Sequence, residues 1–122
     1  MSVGGSFYCN GAITGNTLTS TSDFRLKENI TYNASIDITG LRPCYYNFIN
    51  QTDKKLGFIA HEVQDIIPEA VIGNRNASNN GEIIPQKIDY SAITTASIIT
   101  IQTLIQKVAI LEARLAILEN KF

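Results

Sequence analysis

Along residues 1–21 the apolar side chains come in short bursts, Ser6-Phe7-Tyr8-Cys9 and Ala12-Ile13-Thr14, among Gly, Ser, Thr and Asn. That spacing predicts short strands, with turns at Asn10-Gly11 and Thr14-Gly15-Asn16. The segment has too little apolar mass to fold by itself. It reads as the tail end of a longer β-rich protein, with Met1 an introduced start. The pattern changes at Ser22. Ile36-Asp37-Ile38-Thr39-Gly40-Leu41 is mixed, and Cys44-Tyr45-Tyr46-Asn47-Phe48-Ile49 is aromatic and β-prone. A turn over Asn50 to Lys55 leads back into Leu56-Gly57-Phe58-Ile59, a hairpin pattern. Ala60 to Ile67 carries Val63, Ile66 and Ile67 at helical spacing and is stopped by Pro68. Gly73 to Gly81, rich in Asn, has almost nothing to bury and predicts an exposed, mobile hairpin tip.

From Asp89 to the end the period is helical. With Ile101, Val108, Leu115 and Phe122 at heptad position a, Leu104, Leu111 and Leu118 fall at d, so every core position of three heptads is apolar. Lys107 and Arg114 fall at g, Glu112 and Glu119 at the following e. In a parallel coiled coil these pair across chains as Lys107–Glu112 and Arg114–Glu119, which sets orientation more than stability. An amphipathic helix packed on its own domain is the plainer alternative, and the matched flanking charges weigh against it. Ile98 and Ile105 widen the apolar face beyond a two-stranded seam. Arg114-Leu115-Ala116-Ile117-Leu118-Glu119 also follows the Arg-apolar-x-x-apolar-Glu pattern of parallel trimers. The expectation is a homotrimer.

Composition narrows the function classes. The chain has 122 residues, 44% of them apolar, which is one domain's worth, and a net charge of −1. Without a basic run or an acidic block, nucleic acid and anionic membrane are not expected partners. No apolar run approaches the roughly 20 residues of a membrane span, and residues 1–20 lack the pattern of a secretory signal. Asn76-Ala77-Ser78 fits a glycosylation sequon, which has no use in a non-secretory chain. Cys9 and Cys44 lie in different segments and read as free, buried thiols of a reducing compartment. One histidine and two cysteines without ligand spacing give no metal site, and no cofactor is expected.

The candidate chemistry sits at the compositional seam. Ser22 stands five residues ahead of Lys27. A serine hydroxyl must lose its proton to attack a carbonyl, and a desolvated, neutral lysine can take it. Serine–lysine pairs are an accepted nucleophile–base arrangement. The pair by itself is common. What singles it out is its company: Ser22-Asp23-Phe24-Arg25-Leu26-Lys27-Glu28-Asn29-Ile30, then Leu56-Gly57-Phe58-Ile59-Ala60-His61-Glu62-Val63-Gln64 with Pro68-Glu69-Ala70-Val71, then Ile88-Asp89-Tyr90 leading into the leucine-rich helix.

Over about residues 20–122 these blocks resemble the C-terminal intramolecular chaperone of endosialidase-type phage tailspike, tail fibre and neck appendage proteins, the self-cleaving peptidase S74 family. The resemblance implies an α+β fold: a small mixed helix/strand core, a protruding β-hairpin arm, and a long C-terminal helix in a parallel trimeric coiled coil. Residues 1–22 would be the end of a β-helical stalk and 23–122 the chaperone domain, with 89–122 helical. Such a domain trimerises, brings three stalks of its own precursor into register, and is released by autoproteolysis. The resemblance carries the catalytic pair to Ser22 as nucleophile and Lys27 as base. His61 stands where many relatives have Gln and is given no catalytic role. Arg25 and Asn29 could hold the cleavage segment or be a solvated face. The cut falls at Thr21–Ser22 or Ser22–Asp23. Assembly would take place in the host bacterial cytoplasm, with the parent fibre carried into the virion and the chaperone released. Two rival readings remain: a non-cleaving trimerisation and receptor-binding tip using the 73–81 loop, and a passive trimerisation tag.

Overall fold

Val63 and Ile67 stand one helical turn apart, and both are almost completely buried. In the computed structural model, which describes Gly5 and residues 7–121, they are the centre of the core. The chain divides into two units, 1–32 and 33–122. The compositional seam at Ser22 lies inside the first.

In the second unit, a 3-10 turn at Ile38–Gly40 leads to strand β1 (Cys44–Tyr46), which pairs antiparallel with β2 (Lys55–Gly57) in the register Cys44↔Gly57 and Tyr46↔Lys55. The predicted hairpin is there, but β1 stops at Tyr46 rather than Ile49. The Asn47 side-chain amide donates to the carbonyls of Phe48 and Gln51, and Asn50 takes a left-handed φ of 66°. These local bonds compete with the ladder and end the strand. Gly57 suits a close approach: a Cβ there would lie 3.2 Å from a Tyr46 ring carbon and from the Tyr90 hydroxyl, so those side chains would have to give by a few tenths of an ångström.

Helix α1 (Ala60–Gln64) follows, and Pro68 opens the 3-10 turn Pro68–Ala70 as expected of a residue without an N–H. Strand β3 (Val71–Ile72) pairs with β6 (Lys87–Ile88), and nested between them β4 (Ser78–Asn79) pairs with β5 (Glu82–Ile83). Asn80 and Gly81 link the inner pair with φ of 51° and 80°. Positive φ at both central residues makes a primed turn, which suits Asn-Gly. The Asn-rich segment is therefore an exposed hairpin with short strands of its own.

Helix α2 runs from Tyr90 to Glu119. Asp89 caps it: one carboxylate oxygen accepts from the Ser91 and Ala92 N–H groups and the Ser91 hydroxyl. The Asp89 N–H in turn donates to the Ala70 carbonyl at 2.7 Å, fixing the start of α2 on the body. Ile93 and Ala96 then join Val63, Ile67 and Ala70 in the core, with Ile36, Ile38, Leu41, Phe58 and Ile88 around them. The Thr100 hydroxyl donates to the Ile36 carbonyl and marks the last firm attachment.

Beyond Thr100 every described residue of α2 is exposed. Ile101, Leu104, Val108, Leu111, Leu115 and Leu118, the a and d positions of the heptads, are all half or more accessible. Ile110 and Ile117 are exposed too, so the outer face is apolar as well. Phe122, the last a position of the pattern, lies outside the described residues. By length and composition α2 could cross a membrane. Its first turns are built into the core, however, and a span would have to pull Ile93 and Ala96 out of it.

In the first unit no described residue forms a strand, contrary to the expected short strands (Ser6, in the first of them, lies outside the described residues). A strand needs a paired neighbour, and the described backbone of this unit pairs none. Phe7, Ile13 and Leu18 are exposed. Cys9 is exposed and Cys44 half-buried, both as free thiols, so the expectation of burial fails for Cys9, which sits in a bare segment without a core.

Candidate active site

The geometry around Ser22 is set by one short turn. Fully extended, the five residues from Ser22 to Lys27 would span about 17 Å. Asp23 prevents this. Its Oδ1 accepts the Arg25 N–H at 2.9 Å, capping a 3-10 turn over Phe24–Leu26. The Leu26 N–H then donates to the Asp23 carbonyl and the Lys27 N–H to the Phe24 carbonyl, each at 3.1 Å. The chain doubles back, and the Lys27 ammonium donates to Ser22 Oγ at 2.6 Å. Asn29 follows with a left-handed φ of 55°, a conformation that asparagine tolerates better than most side chains.

Arg25 does not reach across the site. Its guanidinium turns back on Asp23, Nε donating to Oδ1 at 3.0 Å and Nη2 to Oδ2 at 2.9 Å. Such a fork is the strong form of an ion pair. The Arg25 side chain and then its backbone N–H hold the Asp23 carboxyl below its usual range, and the pairing pushes the guanidinium up in return.

Ser22 and Lys27, the two residues singled out by the sequence, are thus brought into hydrogen-bond contact. His61 is on α1, in the other unit and half-buried. Asp23 is the residue that sequence reasoning passed over, although an Asp just before a turn, two residues ahead of an Arg, is a readable cap signal. Arg42, also missed, donates to Glu62 of the Gly-Phe-x-Ala-x-Glu-Val block at 3.4 Å, an exposed pair of little energetic weight. Among the described residues no cluster of His, Cys, Asp or Glu could hold a metal ion.

Desolvation of Lys27, which its role as base would need, belongs to the expected trimer and not to one chain. Ser22, Lys27 and every residue between them are exposed. The segment lies on a turn too short to bury anything, so water can be excluded only by something that covers it.

Chemically, a hydroxyl and an amine at this separation can exchange a proton, which is what nucleophilic attack by a serine requires. The segment that contains them is also what the chain shares with known proteins. Residues 22–72 match the peptidase S74 family, described as chaperone of endosialidase, and the match begins at Ser22. No curated protein matches the chain. The match runs from the Ser22 turn through β1, β2 and α1 to Ile72, and it is this segment of the chain that is similar to the peptidase S74 family.

Proposed function

We propose that this chain is a self-cleaving intramolecular chaperone. It trimerises through α2, holds three copies of an upstream triple-stranded β-helical stalk of a phage fibre or tailspike in register, and is released by a cut beside Ser22. The observation that carries the reading is the 2.6 Å Ser22–Lys27 contact within the family segment. The bare apolar face of α2 beyond Thr100 supports the assembly half, since an isolated helix of that length is marginal in water and gains stability by packing.

Three-stranded β stalks form slowly, because distant pairings must be set before any contact rewards them. A trimeric clamp raises the local concentration of the three stalk ends to about millimolar and sets their register. In the cut itself, Lys27 takes the Ser22 Oγ proton and the oxygen attacks a backbone carbonyl next to Ser22. The C–N bond breaks, the leaving amine takes the proton from Lys27, and water hydrolyses the ester. Attack within one chain removes an entropic cost worth about 7–11 kcal/mol. Loss of the clamp makes the stalk's stability kinetic.

The test is intact-mass spectrometry of the chain expressed with its upstream stalk, beside Ser22→Ala and Lys27→Ala. The wild type is expected to split at Thr21–Ser22 or Ser22–Asp23. Ser22→Ala is expected to stay whole, and Lys27→Ala to lose at least about 100-fold in rate, as befits a general base. A folded wild-type trimer that never cuts would leave only a trimerisation role.

A further inference from the structure

Asp23 is the acid next to the proposed nucleophile and one turn from the proposed base, yet both its carboxylate oxygens are taken by Arg25. We infer that Asp23 and Arg25 are a positioning pair for the Ser22–Lys27 contact: Asp23 closes the turn that joins them, and Arg25 keeps the Asp23 carboxylate from holding Lys27 in its charged form. The inference rests on the self-cleavage reading and adds two residues to it.

Two jobs meet in one side chain. The cap is geometric: Oδ1 takes the Arg25 N–H, and without it the turn loses the bond that starts it. The second job is electrostatic. A carboxylate near an amine favours the ammonium, which cannot accept the serine proton. Asp23 therefore shapes the turn while placing a negative charge next to Ser22, four residues before the base in sequence. Arg25, permanently protonated, cancels that charge through two parallel hydrogen bonds. A lysine at 25 could supply the charge but not the fork.

The surroundings allow a clean reading. Within residues 1–32 the only charged side chains are Asp23, Arg25, Lys27 and Glu28, and the other titratable groups are Tyr8, Cys9 and Tyr32. Glu28 adjoins Lys27 in sequence and forms no ion pair among the described residues. Removing Arg25 leaves Lys27 as the one side-chain cation among these residues, with Asp23 and Glu28 as the two acids close to it in sequence. Removing the Asp23 charge leaves two cations against Glu28.

The experiment measures the cleavage rate of the stalk-bearing chain against pH for the wild type, Arg25→Gln, Asp23→Asn and the double variant. Asparagine still caps the turn, so Asp23→Asn removes charge while keeping the geometry. For Arg25→Gln the pH of half-maximal cleavage is expected to rise by about one unit, the low end of what a neighbouring charge does. For Asp23→Asn it is expected to fall, and for the double variant to return close to the wild type. Competitive acetylation of the Lys27 amine against pH, in the uncut Ser22→Ala background, reads the same shifts without any cleavage. Shifts of opposite sign in the two single variants support the pair. Midpoints that stay put in both variants overturn it, even where cleavage is slowed equally at all pH values. If the wild type is never cut while the acetylation midpoints still move as stated, the self-cleavage reading fails and the electrostatic pair stands.

Discussion

Three aspartates do the same small task in different places. Asp23, Asp37 and Asp89 each accept the N–H two residues on, from Arg25, Thr39 and Ser91, and each starts a turn or helix. Each carboxyl is held below its usual range, Asp23 chiefly by the Arg25 side chain, Asp37 by the Thr39 N–H and Asp89 by the Ser91 side chain. The sign follows from linkage. A carboxyl depressed in the folded state contributes stability that is fully present above its unfolded value near 3.9 and is lost as pH falls through the lower folded value. Asp89 carries the largest consequence, because it starts α2 and its own N–H anchors that start to Ala70. Asp89→Ala is expected to cost about 1 kcal/mol, the usual worth of an N-cap. Urea unfolding should show that loss at pH 7, and the gap between variant and wild type should shrink below about pH 4. A gap unchanged down to pH 2 would mean that the carboxylate charge contributes nothing to the cap.

At the scale of the element, α2 is two structures in one. Its first turns are core: Ile93 and Ala96 pack on Ala70, and the Thr94, Thr95 and Ser97 hydroxyls are bonded back to carbonyls four residues earlier. Beyond Thr100 the helix carries large apolar residues that are half or more exposed. Lys107 sits with Leu104 and Thr103 along a cavity whose other wall is Ser35–Asp37 and Thr39. Its charge contributes to holding the Asp37 carboxyl down, so it serves its own chain besides any partner. Full burial of a Leu side chain is worth roughly 1.5–3 kcal/mol, and a charge at the same place reverses the gain. If the proposed trimer forms through this face, Leu111→Asp is expected to convert it to monomers by sedimentation or light scattering. The 33–100 body should remain folded, because its core lies elsewhere. Monomers in the wild type, or trimers in Leu111→Asp, would rule out the helix as the seam.

For the whole molecule the decisive property is exposure of the site. Ser22 and Lys27 touch but are exposed in a single chain, so in the proposed trimer assembly would be the step that covers them. Cleavage is accordingly expected to depend on concentration during refolding. Diluting the refolding chain below the point of assembly should suppress the cut, measured by mass at fixed time, and restoring concentration should restore it. Cutting at an undiminished rate in dilute monomer would show that one chain suffices.

Much of this molecule is legible in the order of its residues, because the features concerned are local. The Pro68 stop, the Asp89 start, the Asn80-Gly81 turn and the heptads of α2 depend on a few neighbouring side chains and on helical or strand period. The Ser22–Lys27 spacing and the blocks within the 22–72 match to the endosialidase-chaperone family are local in the same sense. The tertiary structure decided what depends on competition or on distant partners. Asn47 won the end of β1 from the strand pattern by bonding to Gln51, and the described residues of 7–21 form no strand because their backbone pairs with none. Thr100 tied the helix to Ile36 and so drew the line between core and free face. Asp23 and Arg25 found each other rather than the base. No period or propensity encodes that choice, since it is made by which charges come within reach once the turn has closed.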